Sequence, residues 1–220
     1  MNISRGFAPA LRPLLPLGPG APGLAPHLAL GRAHEATGPA AAIFAALTAG
    51  RLSGPVLWIR PGWRRDSLHP EGLLPFFDPS RLVLAAPARG ADILWAAEEA
   101  LRSGAAPLVV AEPEAPPGLT PLRRLQLAAE AGGNPLCLLL PPEAGSSGAV
   151  ESRWRCAPLP ARGGPPRWRF ERAPGKAGPP LVWETGLGEI ASGAIGQPRA
   201  PAPVTGSPER GSRGGSPDAR

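Results

Sequence analysis

The sequence is short of the residues on which several kinds of protein chemistry depend. It has 220 residues but a single lysine, Lys176, with two cysteines, three histidines and no tyrosine. The two cysteines, Cys137 and Cys156, form neither a CxxC pair nor a cluster with histidine, so they predict buried thiols rather than a metal site. No apolar run reaches the roughly 18–20 residues that span a bilayer. These absences favour a cytoplasmic protein that has no metal and no membrane segment.

The histidines offer no catalytic arrangement either. His27, His34 and His69 are isolated, and none has a serine, cysteine or acidic partner at the spacing of a known motif. His34 stands in an extended segment, where a structural role is the simpler interpretation. We therefore predict neither a hydrolase nor a zinc site.

Proline and glycine are abundant instead, with 33 and 29 residues that are concentrated towards the two ends. This distribution predicts a Pro/Gly-rich flexible N-terminus over 1–27, a domain over 28–184 and a disordered basic tail over 185–220. Residues 1–150 hold 12 basic and 11 acidic side chains, whereas residues 151–220 hold 11 and 6. Because the cations are nearly all arginine, a GC-rich genome explains the excess as well as a nucleic-acid partner does.

Between these ends, short apolar runs alternate with helical patterns. Continuous apolar runs, which are typical of parallel strands buried on both faces, occur at 56–59, 82–85, 108–111 and 136–140. Helical patterns lie between them, the clearest at 90–103 and from the predicted cap Thr120 to about 132. Three short strands follow, within 153–184, and we expect them to pair antiparallel at the sheet edge. This order predicts an α/β fold with a mainly parallel sheet and antiparallel C-terminal strands.

The segment from His34 to Phe44 lies where a nucleotide-binding α/β protein carries its phosphate loop. It has an extended start, a Gly38-Pro39 turn and then a helix. A phosphate loop also needs glycines that wrap the phosphates, a lysine that reaches them and a Ser/Thr for Mg²⁺. Here the turn leads directly into alanines, and the only lysine of the chain, Lys176, is far away in sequence. Three arginines nearby in sequence could replace part of the lost charge: Arg32, Arg60 and Arg64.

Two strings in the middle of the chain are specific: Trp-Ala-Ala-Glu-Glu-Ala-Leu at 95–101 and Arg-Arg-Leu-Gln-Leu-Ala-Ala-Glu-Ala-Gly-Gly at 123–133. They resemble the ImuA family, whose members are RecA-like accessory proteins of damage-induced (SOS), error-prone DNA synthesis. The similarity covers about residues 28–184. It implies a RecA-like three-layer core, and it implies three partners: a Y-family polymerase-like protein, an error-prone replicative-type polymerase and RecA itself.

The resemblance to RecA also indicates what this chain lacks. Gly38 and Pro39 match the opening of the RecA phosphate loop, and Glu112 matches the acid at the end of the Walker B strand. The catalytic glutamate falls at about Pro61-Gly62, where there is no carboxylate. We therefore expect no enzymatic activity and no cofactor, and we treat Gly38, Pro39 and Glu112 as vestigial nucleotide-site positions. A lone glutamate such as Glu112 at a strand end is commonly solvated or capping.

Two Arg-Trp-Arg triplets form the other candidate site. In a strand the two arginines share one face and the tryptophan takes the other. The arginines therefore predict a basic face for DNA or an acidic partner: Arg153, Arg155, Arg167 and Arg169. The alternative is an exposed edge strand that is protected by charge, with its tryptophans in the core. The loop at about 141–150, which corresponds to the second DNA-binding loop of RecA, is short, so any DNA binding is expected to be weak.

The function that the resemblance implies is that of a non-catalytic adaptor in error-prone translesion DNA synthesis, bound to polymerase-like partners or to RecA. A weak DNA-dependent ATPase is one alternative, and it requires saturable nucleotide binding. A cell-division inhibitor of the SulA type is another, because that family shares the RecA-like ancestry of fold.

Overall fold

Within the residues that the structure describes, nine strands form the central sheet, and the apolar runs of the sequence supply most of its parallel part. The computed structural model describes residues 13–18, 25–161, 163–191 and 198–199. The strands are β1 (Leu14–Pro16), β2 (His27–Ala29), β3 (Ala33–Thr37), β4 (Val56–Ile59), β5 (Leu82–Ala85), β6 (Leu108–Ala111), β7 (Leu136–Leu140), β8 (Ser152–Leu159), β9 (Arg167–Arg172), β10 (Leu181–Gly186) and β11 (Pro198–Arg199). The helices are α1 (Ala41–Ala49), α2 (Pro70–Leu73), α3 (Gly90–Ser103), α4 (Leu119–Gly132) and α5 (Leu187–Ala191), with a 3-10 turn at Pro79–Arg81.

The order of strands in the sheet is β11-β10-β9-β8-β3-β7-β6-β4-β5. The six strands from β8 to β5 in this order run parallel, and β9, β10 and β11 continue the sheet antiparallel. This confirms the predicted α/β fold with a mainly parallel sheet and antiparallel C-terminal strands. One pairing differs from the expectation, because β8 runs parallel to β3. The connection over 141–151 carries the chain from the carboxyl end of β7 back to the amino ends of the parallel strands, where β8 begins.

Helices α3 and α4 follow the periodic patterns of the sequence. Each ends at a glycine in the left-handed conformation, Gly104 with φ 67° and Gly133 with φ 73°. This conformation is easiest for a residue without Cβ. Helix α3 has the predicted bounds, but α4 begins at Leu119 after Gly118, so the predicted cap Thr120 lies inside the first turn.

The two faces of the sheet are packed differently along its width. One face is covered by α1 and by the N-terminal strands, and its apolar cluster includes Trp154 from β8, Phe170 from β9 and Trp183 from β10. The other face is covered by α3 and α4, and the apolar cluster beneath them contains no residue from β8, β9 or β10. On the α3/α4 side, these three strands therefore carry mainly charged side chains, among them Arg153 and Arg169.

The predicted domain limits, 28 and 184, differ from the structure at both ends. Strand β1 lies within the segment 1–27 that was expected to be flexible; it pairs antiparallel with β2, and Leu17 beside it is fully buried. Proline is tolerated in this pair because β1 is short and bonded on one side only. At the other end, β10 and α5 extend to Ala191. Most of the tail predicted to be disordered, including 200–220, lies outside the described residues. Among the described residues, no helix is both long and apolar enough to cross a membrane.

Candidate functional site

A cleft opens at the carboxyl ends of β3, β4, β6 and β7, which is where open parallel sheets commonly bind ligands. Its volume is about 600 Å³, and the loops that follow these four strands line it. Gly38 and Pro39 come from the loop after β3, Arg60 from the loop after β4 and Glu112 from the loop after β6. The three positions that the sequence marks as vestigial therefore lie around one cavity.

The turn between β3 and α1 has room only for glycine at its first position. Gly38 has φ 94°, and a Cβ placed there would lie 2.4 Å from the carbonyl oxygen of Cys156 on the neighbouring β8. The Ala40 amide donates to that same oxygen at 3.2 Å, which ties the turn to β8. Helix α1 then begins at Ala41 without a side-chain cap. The turn spans three residues, so it is too short to wrap a phosphate with several backbone amides.

Glu112 is buried and bonded within the protein, so the expectation of a solvated or capping strand-end carboxylate is wrong. Trp58, which is fully buried on β4, donates its indole N–H to Glu112 Oε1 at 2.6 Å. Arg64 donates from Nη1 to Glu112 Oε2, and Arg60 Nη2 lies 3.7 Å from the same oxygen. Both carboxylate oxygens of Glu112 therefore have partners from this chain.

Asp66 completes the charged cluster at the mouth of the cleft. Arg64 binds it through two hydrogen bonds, from Nε at 2.9 Å and from Nη2 at 2.6 Å, and Arg60 donates to it at 3.0 Å. The hydrogen bond from Arg64 is the main cause that holds the pKa of Asp66 below its usual range. We refer to Arg60, Arg64, Asp66 and Glu112 as the cleft ion-pair cluster.

The ion pairs of the cluster occupy four groups that acid–base or phosphate chemistry could otherwise use. A general base needs a carboxylate with a free lone pair near its substrate, but the two clustered carboxylates are bonded to arginines. A phosphate site needs cations that are free to meet the ligand, and Arg60 and Arg64 are bonded to Asp66 and Glu112 instead. Arg32, the third arginine near the segment in sequence, lies elsewhere and pairs with Glu130 at 3.1 Å.

The hydrogen bonds of His34 give this residue a structural role. His34 is buried between the Ser152 hydroxyl, 2.6 Å from Nδ1, and the Ala29 carbonyl, 2.9 Å from Nε2. Burial is the main cause that lowers the pKa of His34 to about 4, so the ring is neutral at pH 7. His34 thus joins β2, β3 and β8. Over the described ranges, no group of three histidine, cysteine or acidic residues could hold a metal ion, and both cysteines are buried free thiols, as predicted.

The four arginines of the Arg-Trp-Arg triplets share one face of the sheet, and Trp154 and Trp168 are buried on the other. The alternative is wrong about an exposed edge strand, because β8 and β9 both have neighbours on either side, but its tryptophans do lie in the core. Arg169 Nε forms an ion pair with Glu171 at 2.8 Å, and Arg167 pairs with Glu189 at 2.8 Å. The structure brings the four arginines to one face but does not leave them equally free.

The comparisons with known proteins concern this whole arrangement. No family model matches the chain. Protein ImuA of Caulobacter vibrioides, in strains NA1000 / CB15N and ATCC 19089 / CIP 103742 / CB 15, is 38% identical to it over 162 residues, which are 63% of the chain. This similarity supports membership of the ImuA family. It spans 64% of the length of these curated ImuA relatives.

A solved structure shows a more distant likeness. The crystal structure of SulA from Pseudomonas aeruginosa is 24% identical, with a TM-score of 0.40, and the match covers 49% of this chain and 97% of the SulA chain. At that identity and score the likeness has no bearing on function.

Sequence reasoning missed Asp66, Trp58 and the pairing of Arg64 with Glu112. It placed the position of RecA's catalytic glutamate at Pro61-Gly62, where there is no carboxylate, whereas Asp66 reaches the cleft a few residues later. The sequence did contain a sign of this charged cluster, because Arg64 and Asp66 are separated by one residue in the loop that follows a buried strand. Only the fold shows that this loop meets the end of β6.

Proposed function

We propose that this chain is a non-catalytic adaptor in damage-induced (SOS), error-prone translesion DNA synthesis, where it binds polymerase-like partners or RecA. Similarity to the ImuA family supports this pathway, together with the RecA-like accessory role that the sequence resemblance implies. On this proposal the protein works in the cytoplasm, and the retained α/β scaffold presents surfaces to other proteins.

The cleft ion-pair cluster is the observation that supports a non-catalytic role. ATP hydrolysis depends on cations that stabilise the γ-phosphate and on a carboxylate that positions water. In this cleft Arg64 is bonded to Asp66 and to Glu112, and no lysine lines the cavity. A nucleotide that displaced Arg64 would place its phosphates beside the buried Glu112 carboxylate and lose the compensating cation. The cleft therefore favours its own ion pairs over a polyphosphate.

Deletion and complementation test the proposed pathway. We expect a deletion strain to lose most of the mutations that DNA damage induces, and we expect the wild-type gene to restore them. The measurement is the frequency of induced mutants at equal survival. An unchanged frequency would contradict the proposal. Filamentous cells on overexpression without DNA damage would instead favour the SulA-type alternative.

A further inference from the structure

The face of β8 that lies towards α3 and α4 carries two arginines, and the carboxylates next to them on the neighbouring strands are bound by other residues. Arg153 and Arg155 alternate with the buried Trp154 and Cys156, so both project from this face. Their Cα partners on β3 are Glu35 and Thr37, which place a carboxylate directly beside Arg153. Directly opposed charges on neighbouring strands ordinarily pair.

The loop between β7 and β8 supplies the hydrogen bonds of the Glu35 carboxylate in place of Arg153. Ser146 donates its hydroxyl to Glu35 Oε2 at 2.8 Å, and Ser147 donates its amide to Oε1 at 3.1 Å and its hydroxyl to the same oxygen. Three donors thus satisfy this buried carboxylate. Arg153 is left with one hydrogen bond, from Nη1 to the Ser146 hydroxyl at 3.2 Å.

On the β9 side of β8, the carboxylate next to Arg155 is likewise bound by another residue. Its Cα partner on β9 is Glu171, whose carboxylate lies 2.8 Å from Arg169. Arg169 also lies 3.8 Å from Glu184 on β10, so the charges of β9 and β10 compensate one another. Within the described residues, neither Arg153 nor Arg155 has a carboxylate within 4 Å.

The two free arginines line a cavity of about 550 Å³, which the 144–146 loop bounds on one side. Residues two apart on a strand lie about 7 Å apart on one face, so the pair presents two guanidinium groups to one extended ligand. We propose that Arg153 and Arg155 form a docking site for an acidic segment of a protein partner, whose carboxylates bind both guanidinium groups. This inference rests on the proposed adaptor function and names the surface and the chemistry of its partner.

The surrounding charges favour an acidic polypeptide over a nucleic acid. Glu35, Glu171 and Glu184 lie on the same face as the arginines. A phosphate backbone that crossed this face would carry one negative charge per nucleotide past these carboxylates, which repel it. A polypeptide can place its carboxylates at the two free arginines and neutral or basic side chains elsewhere, so its charge pattern can match.

The test compares two double variants of equal charge in the full chain. Arg153→Gln with Arg155→Gln removes the proposed site, and Arg65→Gln with Arg123→Gln removes two exposed arginines elsewhere that have no ion pair with another described residue. The probes are a fluorescent synthetic peptide with glutamate at alternate positions and a fluorescent oligothymidylate. We expect the peptide to bind the wild type at low salt, and we expect the first double variant to weaken that binding about tenfold. The control variant should bind as the wild type does.

Two outcomes would overturn the inference. In one, the wild type does not bind the peptide, or the two double variants bind it equally strongly. In the other, the wild type binds the oligothymidylate more tightly than the peptide, and the first double variant loses that binding. Circular dichroism verifies that both variants fold. Complementation separates this inference from the proposed function. If the deletion abolishes induced mutagenesis and the Arg153/Arg155 variant restores it fully, the docking site is refuted while the adaptor function stands.

Discussion

Replacing Glu112 by glutamine should weaken the whole domain, although Glu112 lies at the rim of a cleft. In Glu112→Gln the amide oxygen can still accept the Trp58 indole N–H, but the negative charge that meets Arg64 and Arg60 is lost. Breaking a buried ion pair costs about 3–5 kcal/mol. Arg64 is 43% exposed and both arginines retain Asp66, so we expect a loss of about 2 kcal/mol in the free energy of unfolding.

Equilibrium unfolding in urea measures this loss. With a slope of about 2 kcal/mol per molar urea, the midpoint should fall by about 1 M. Glu112→Ala also leaves the fully buried indole N–H of Trp58 without an acceptor, so it should cost about 4 kcal/mol. Glu114→Gln is the matched control, since Glu114 is exposed at the same cleft, and it should stay within about 0.5 kcal/mol of the wild type. A Glu112→Gln midpoint equal to or above that of the wild type would refute the ion-pair account.

Two further perturbations test the strands around the cleft. The folded pKa of His34, about 4, lies below its unfolded value of 6.5, so the unfolded state binds more protons between these values and stability falls as pH drops through that window. The loss should reach about 3 kcal/mol near pH 4 in the wild type and in His27→Gln, and it should be absent from the pH profile of His34→Gln. Identical pH profiles for all three proteins would argue against a buried neutral ring. Gly38→Ala combines a left-handed backbone with a Cβ 2.4 Å from a carbonyl oxygen, so it should cost at least about 3 kcal/mol in thermal or urea unfolding. Gly148→Ala, left-handed but with open space around it, should cost only about 1 kcal/mol, and equal costs would show that the contact with β8 is not tight.

The elements of the fold were largely predictable because their signals are local. Four continuous apolar runs became β4, β5, β6 and β7, and the glycines after 103 and 132 marked the ends of α3 and α4. The parallel course of β8 was not predictable from the strand itself. It depends on where an irregular connection of eleven residues, 141–151, delivers the chain.

The candidate sites were harder to predict because their geometry is tertiary. The sequence marked Gly38 and Glu112 through resemblance, but Arg64 meets Glu112 from 48 residues away. The same limit applies to Arg153 and Arg155. Pattern alone placed them on one face with Arg167 and Arg169, whereas the withdrawal of Glu35 by Ser146 and Ser147 depends on contacts across more than 100 residues.

Calorimetric titration of the purified protein with ATP and Mg²⁺ tests most directly whether the cleft has lost the ability to bind a nucleotide. The account predicts no saturable heat at ATP concentrations on the order of millimolar, because Arg60 and Arg64 remain bonded to Asp66 and Glu112. Saturable binding of one nucleotide per chain, weakened by Glu112→Gln but not by Glu114→Gln, would contradict it and would restore the weak ATPase as the better interpretation.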